Sequence, residues 1–239
     1  MRQSNDRPLF HVKICGVTSP TDARLAAAAG ADAVGFNFVP GSPRRIDAAL
    51  AREAVESLPP GVLAVGVFAG ATAAEMLAIA AAARLHAIQL HGHLDAGDSA
   101  HDPPARCAEL AGLPVIRALR MGDDGLATAR RWLEAAAAAG RRPDMLVVDA
   151  GVPKGEVAGR LGGTGHRVDW EAFAREAPLG LPAALAGGLS PENVAAAVRA
   201  TGVVAVDTAS GVETSPGRKD AERMRAFVVA ARTALGLPG

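Results

Sequence analysis

The sequence predicts an α/β fold, a single (β/α)8 barrel over residues 1–239. Eight short runs are apolar almost throughout, and longer runs rich in Ala, Leu, Arg and Glu separate them. An unbroken apolar run of strand length is the pattern of a parallel strand buried on both faces. Strands joined by helical segments form right-handed βαβ units, and eight such units in 239 residues match the size of a closed barrel. The alternative is a doubly wound open sheet. It usually carries about six strands and a glycine fingerprint after the first one, and Cys15-Gly16-Val17-Thr18 contains no G-x-G-x-x-G.

The first strand is expected at 10–15. Ser19-Pro20 follows, a capping residue before a proline at the first helical position, and Gly30 stops that helix. Strands two to four are expected at 33–38, 62–68 and 86–90, each strand-sized and apolar. Strands five and six are expected at 114–119 and 144–149. The Ala-rich helical run between them ends at Gly140. Strand seven is expected at 182–186, and Ser190-Pro191-Glu192-Asn193 repeats the cap-and-proline arrangement before the seventh helix. Strand eight is expected at 203–207. Two connections are longer than an ordinary βα loop: the polar stretch 93–104, and 150–168 with its six glycines. Both follow strand C-termini, the face where barrels build their sites.

Composition narrows the function. Twenty-five Lys+Arg balance 25 Asp+Glu, which argues against a nucleic-acid or anionic-membrane surface, since either needs a basic excess. Aromatic residues make up 3%, with no Tyr, so stacking platforms for single strands are not expected. The Ala-rich stretches are too short and too often broken to span a membrane, and the first nine residues lack the apolar core of a secretion signal. Cys15 and Cys107 alone make neither a disulfide framework nor a zinc site, which suggests a reducing compartment, and a cytoplasmic location is expected. H-E-x-x-H and G-x-S-x-G are both absent.

Polar residues at strand C-termini are expected to face the barrel mouth. They are Cys15, Asn37, Gln89, His91, Arg117, Asp149 and Asp207. Cys15 is either a small buried hydrophobe or a reactive thiol, and Lys13, two residues earlier on the same strand face, would stabilise its thiolate if the ammonium reached the sulfur. Asp149 is either a loop cap or a carboxyl group aimed into a site, and Asp207 ends its strand in the same way. Glycines in Gly187-Gly188 and Ser210-Gly211 follow the last two strands, where barrels bind phosphate on backbone amides and helix N-termini. Arg44 and Arg45 are either a solvated pair or an anion clamp. His91 is read as a framework residue, and His86, His101 and His166 show no metal-ligand spacing.

Taken in order, Lys13-Ile14-Cys15-Gly16, Gly35-Phe36-Asn37-Phe38 with Ser42-Pro43-Arg44, Gln89-Leu90-His91-Gly92, Asp149 with Gly162-Gly163-Thr164-Gly165, Ala186-Gly187-Gly188-Leu189 and Val206-Asp207 with Ser210-Gly211 resemble the phosphoribosylanthranilate isomerase family. The resemblance covers almost the whole chain. It implies an Amadori rearrangement in tryptophan biosynthesis, with a small sugar phosphate as substrate, no metal or other cofactor, and a monomer or homodimer. It implies Cys15 as general base, Asp149 as general acid, Arg44 on the anthranilate carboxylate, Asp207 on a ribose hydroxyl, and Gly187, Gly188, Ser210 and Gly211 at the phosphate. The alternatives are the analogous histidine-pathway isomerase, a bifunctional enzyme, and a catalytically silent sugar-phosphate-binding barrel. Cys15 at the first-strand position favours the anthranilate substrate over the histidine-pathway one.

Overall fold

A computed structural model of the chain describes residues 7–94, 101–121, 124–149, 170–176 and 179–238. Eight parallel strands close into a barrel in the order β1 to β8. They are β1 (Val12–Cys15), β2 (Ala33–Asn37), β3 (Leu63–Phe68), β4 (Ala87–Leu90), β5 (Val115–Arg120), β6 (Met145–Asp149), β7 (Ala183–Leu185) and β8 (Ala205–Thr208). The helices α1 (Pro20–Ala28), α2 (Ala48–Glu56), α3 (Ala73–Ala83), α4 (Arg106–Glu109), α5 (Ala127–Ala138), α6 (Trp170–Glu176), α7 (Val194–Thr201) and α8 (Ala221–Ala234) surround it. A two-stranded ribbon, β9 (Glu213–Ser215) with β10 (Arg218–Lys219), follows β8. The closed order excludes the open sheet.

Two apolar layers hold the barrel, and strand alternation assigns residues to them. Ala33, Val65, Ala87, Ile116, Met145, Val147, Ala184 and Ala205 fill the interior with Phe10. The intervening residues, among them Ile14, Val34, Ile88, Leu146 and Val206, pack outward against the helices. Alanines at six of the interior positions, Ala33, Ala87, Ala118, Ala184, Ala186 and Ala205, let the interior fill with few aromatic residues.

Local chemistry fixes the helix starts. The Ser19 side chain accepts from the Asp22 amide at 3.1 Å, with Pro20 as the first helical residue. Thr72 and Glu75 form a reciprocal capping box on α3. The expected start at Ser190 is not observed. Asn193 Oδ1 accepts from the Ser190 amide at 2.9 Å, its Nδ2 donates to the Gly188 carbonyl at 2.9 Å, and α7 begins only at Val194. The asparagine side chain bonds the Ser190 amide and the Gly188 carbonyl, so 190–193 form a turn that ties down the Gly187-Gly188 loop.

Candidate active site

The C-terminal ends of the strands bring several charged and nucleophilic groups onto one face. Cys15 ends β1 in register with Gly35. A Cβ on Gly35 would lie 2.7 Å from Cys15 Sγ and 3.1 Å from Lys13 Cε, so glycine is required for the thiol and the lysine to occupy that space. Lys13 has no exposed surface. It pairs in register with Asp207 across the β1–β8 seam, and its Nζ donates to Asp207 Oδ1 at 2.9 Å. Its Nζ also lies 5.9 Å from the centroid of the Phe10 ring beneath it. Burial works against the Lys13 charge, but Asp207 and Cys15 beside it hold its pKa above the ordinary lysine value. Burial holds the pKa of the Cys15 thiol above its ordinary value, and Lys13 is the strongest influence drawing it part of the way back down.

A second ionic cluster lies beside the first. Arg44 donates through Nε and Nη2 to the two carboxylate oxygens of Glu213, at 2.9 and 2.7 Å. Lys219 Nζ donates to Glu213 Oε1 at 2.8 Å, to the Cys15 carbonyl at 2.6 Å and to the Ala209 carbonyl at 3.0 Å. The lysine thus joins the end of β1 to the loop after β8. Burial raises the Glu213 pKa, but the hydrogen bonds and charges of Arg44 and Lys219 more than offset this and hold it below the ordinary glutamate value. Gly16 lies under Arg44 with a φ of +70°, and a side chain there would collide with Arg44 Cδ.

The loops after β7 and β8 pack against each other. Gly187 and Gly188 take φ values of +87° and +62°, where glycine carries no steric penalty. Thr208 Oγ1 donates to the Leu189 carbonyl at 2.7 Å. A Cβ on Gly211 would collide with that same carbonyl, so its glycine serves close approach rather than a left-handed backbone. The short 3-10 turn Ser210–Val212 follows. The amides of Gly187 and Gly188 have no hydrogen-bond acceptor among the described residues.

Arg117 and Asp149, both expected at the mouth, differ from the other expected residues. Arg117 does not face the mouth. β5 runs one residue further than expected, to Arg120, and Ile116 and Ala118 are the inward residues. Arg117 therefore points outward, fully buried, with Nη1 3.2 Å from Asp102 Oδ2, Nη2 donating to the Gly92 carbonyl at 2.7 Å, and its guanidinium 4.7 Å from the Trp132 ring centroid. Burial lowers its pKa to about 10 despite Asp102. Asp102 also accepts from the Gly92 amide at 2.6 Å, which fixes the far end of the long 93–104 stretch under the barrel rim. Arg120, not singled out in the sequence, falls on the inward alternation and pairs in register with Asp149. Asp149 is the last residue of β6; its side chain, the Gly162–Gly165 motif and His166 lie outside the described residues. His91, half-buried, lies 3.4 Å from Gln89 Nε2 through its Nδ1. Burial, with Arg120 and Arg117 nearby, lowers its pKa to about 3, so it is a neutral framework residue near pH 7. The described residues contain no cluster of three or more potential metal ligands.

A closed parallel barrel with a thiol, a buried lysine and an arginine toward the C-terminal ends of its strands, and glycine loops after strands seven and eight, places the chain among the (β/α)8 barrels that build their sites on that face. Comparison with known proteins makes the assignment specific. Residues 12–230 match the family model of N-(5'phosphoribosyl)anthranilate (PRA) isomerase. An N-(5'-phosphoribosyl)anthranilate isomerase of Acidithiobacillus ferrooxidans is 42% identical over 94% of this chain and 98% of its own. One from Pseudomonas aeruginosa is 43% identical over 95% and 97%. The crystal structure of the Thermotoga maritima phosphoribosyl anthranilate isomerase superposes with a TM-score of 0.78 at 32% identity, covering 94% of this chain and 99% of that one. A structure of such an isomerase in complex with reduced 1-(o-carboxyphenylamino)-1-deoxyribulose 5-phosphate gives 0.76 at 31% identity over 94% and 99%. The chain belongs to the PRA isomerase family.

Proposed function

We propose that the chain isomerises N-(5-phosphoribosyl)anthranilate to 1-(2-carboxyphenylamino)-1-deoxyribulose 5-phosphate, a step of tryptophan biosynthesis. The observation that carries this reading is Cys15, a thiol at the mouth end of β1 with the Lys13 ammonium packed beside it, in a chain matched to the isomerase family over residues 12–230. The bound analogue in one relative supports a sugar-phosphate ligand of the same kind.

The rearrangement needs two proton transfers and an electron sink. Asp149 protonates the ribose ring oxygen, the C1′–O bond breaks, and the nitrogen lone pair forms an iminium. The Cys15 thiolate then removes the C2′ proton. The C–H electron pair becomes the enolamine double bond, the iminium nitrogen becomes neutral, and tautomerisation gives the ketone. The iminium accepts the electrons, so these side chains suffice for the proton traffic.

Arg44 presents Nε and Nη2 to Glu213, which fixes the guanidinium plane at the rim and leaves Nη1 for the anthranilate carboxylate. Asp207 binds a ribose hydroxyl while holding Lys13. The Gly187, Gly188, Ser210 and Gly211 backbone receives the phosphate, a reading supported by the left-handed Gly187 and Gly188 and by the close packing of the loops after β7 and β8. We place the reaction in the cytoplasm, carried out by a monomer or homodimer; no described helix is long and apolar enough to cross a membrane.

Incubation with the 13C-labelled substrate tests the proposal. Loss of the anomeric C1′ resonance with growth of a C2′ ketone resonance, at unchanged mass, is expected. Persistence of the anomeric signal at micromolar enzyme would overturn it.

A further inference from the structure

Cys15 is surrounded by charge from four segments. Lys13 lies on its own strand, Asp207 on β8, Arg44 after β2, and Glu213 with Lys219 on the ribbon β9–β10. Among the described residues this neighbourhood holds three cations and two carboxylates. Arg44 and Lys219 converge on Glu213, and Lys13 pairs with Asp207. One positive charge is left over, and a thiolate at Cys15 would neutralise it.

Lys13 is placed to deliver that charge. The i, i+2 spacing puts it on the inward face with Cys15. It is completely buried, so its ammonium cannot turn out to solvent as a surface lysine does. The space over Gly35 lies 2.7 Å from Cys15 Sγ and 3.1 Å from Lys13 Cε, so both groups border the same small volume. Asp207 is the register partner of Lys13 and holds Nζ at 2.9 Å.

We propose that Lys13 is a positioning residue that acts through Cys15: its ammonium, held by Asp207, is the counter-cation that stabilises the Cys15 thiolate formed during turnover, against the burial that opposes it. Without a cation, burial would leave this cysteine a protonated, inert hydrophobe. Lys13 keeps its proton throughout. Its ammonium acts through its charge, while the proton that moves passes from substrate C2′ to Sγ. The inference rests on the reading of Cys15 as the base, and its test separates the two.

The test follows iodoacetamide alkylation of Cys15 against pH, by mass spectrometry, in a Cys107→Ala background, together with the pH profile of kcat/KM. Lys13→Met is expected to raise the alkylation midpoint by about one to two pH units, the effect of removing an opposite charge a few ångströms away. The rate at neutral pH falls about tenfold or more with it, and the acidic limb of kcat/KM moves by the same amount. Lys13→Arg restores part of the shift because it keeps the charge. If Lys13→Met does not fold, with Asp207 left unpaired, Lys13→Met/Asp207→Asn removes both charges and is expected to show a smaller shift in the same direction. An unchanged alkylation midpoint in whichever of these variants folds overturns the proposal. A shifted midpoint with an unmoved kcat/KM profile supports Lys13 as the counter-cation and removes Cys15 from the chemistry instead.

Discussion

Gly35→Ala isolates the geometry around the thiol. Gly35 lies in the strand β2, outside the left-handed backbone region, so alanine adds no backbone strain and acts only through its methyl group. That methyl would stand 2.7 Å from Cys15 Sγ, 3.1 Å from the Cys15 Cα and 3.1 Å from Lys13 Cε. Ordinary contact begins near 3.4 Å, so the sulfur must retreat by about 0.7 Å or the strands must part. A displacement approaching 1 Å at a reacting group costs roughly 10²-fold in rate. Overpacking costs about 1–3 kcal/mol of stability. Gly66→Ala serves as the matched control. Its Cβ would meet Leu85 Cδ1 and lie 2.8 Å from Phe68 Cε2, on the outer face of β3 away from the mouth. Both variants should unfold at lower urea concentration by similar amounts. Only Gly35→Ala should lose kcat by about 10²-fold at an unchanged circular dichroism spectrum. A Gly35→Ala enzyme with wild-type kcat would refute the claim that the Cys15 sulfur position sets the rate.

Cys107→Ala should keep full activity, measured as kcat/KM: Cys107 is buried on α4, and burial raises its thiol pKa to about 11. Arg44→Ala should raise KM about 10- to 100-fold with a smaller change in kcat, because a charge-assisted pair with the substrate carboxylate contributes ~1.5–3 kcal/mol; an unchanged KM would exclude that contact. Glu213→Gln should lower stability by about 3–5 kcal/mol at pH 7, since Arg44 and Lys219 lose a shared buried partner. The folded-state pKa of Glu213 lies below its unfolded value, so its contribution is present above the usual glutamate value and lost as pH falls through the folded one. The gap between wild type and variant in urea unfolding should therefore be widest at neutral pH and narrow below about pH 4. Gly211→Val should weaken inorganic phosphate inhibition and substrate binding together, because its side chain would displace the Leu189 carbonyl and part the loops after β7 and β8.

The barrel was legible because its strands are buried on both faces, so each reads as a short apolar run wherever its exact ends fall. Cys15 and Arg44 were legible as members of local motifs. Arg117 was misread for a reason specific to strands. The ladder between β5 and β6 extends to the Arg120–Asp149 pair, and a boundary short by one residue assigns the wrong arginine to the mouth. The charge pairs were not legible at all. Lys13 and Asp207 stand 194 positions apart and Arg44 and Glu213 stand 169 apart, and each pair meets only once β1 closes against β8. Nothing in the sequence spacing of Glu213 and Lys219 shows that they brace Arg44 and the end of β1. The turn at 190–193 is not legible because Ser-Pro reads as a helix start, while the Asn193 side-chain bonds to Ser190 and Gly188 appear only in the folded loop.

The central claim is that this barrel isomerises phosphoribosylanthranilate through Cys15 and Asp149. The direct measurement follows the fluorescence change of the anthranilate group in the purified wild type, Cys15→Ala and Asp149→Asn, at equal concentration and neutral pH. The account predicts rapid conversion by the wild type and a loss of kcat of about 10²–10⁴ in each variant, the usual contribution of a positioned acid or base. Conversion by Cys15→Ala and Asp149→Asn at the wild-type rate, or none by the wild type, would contradict it.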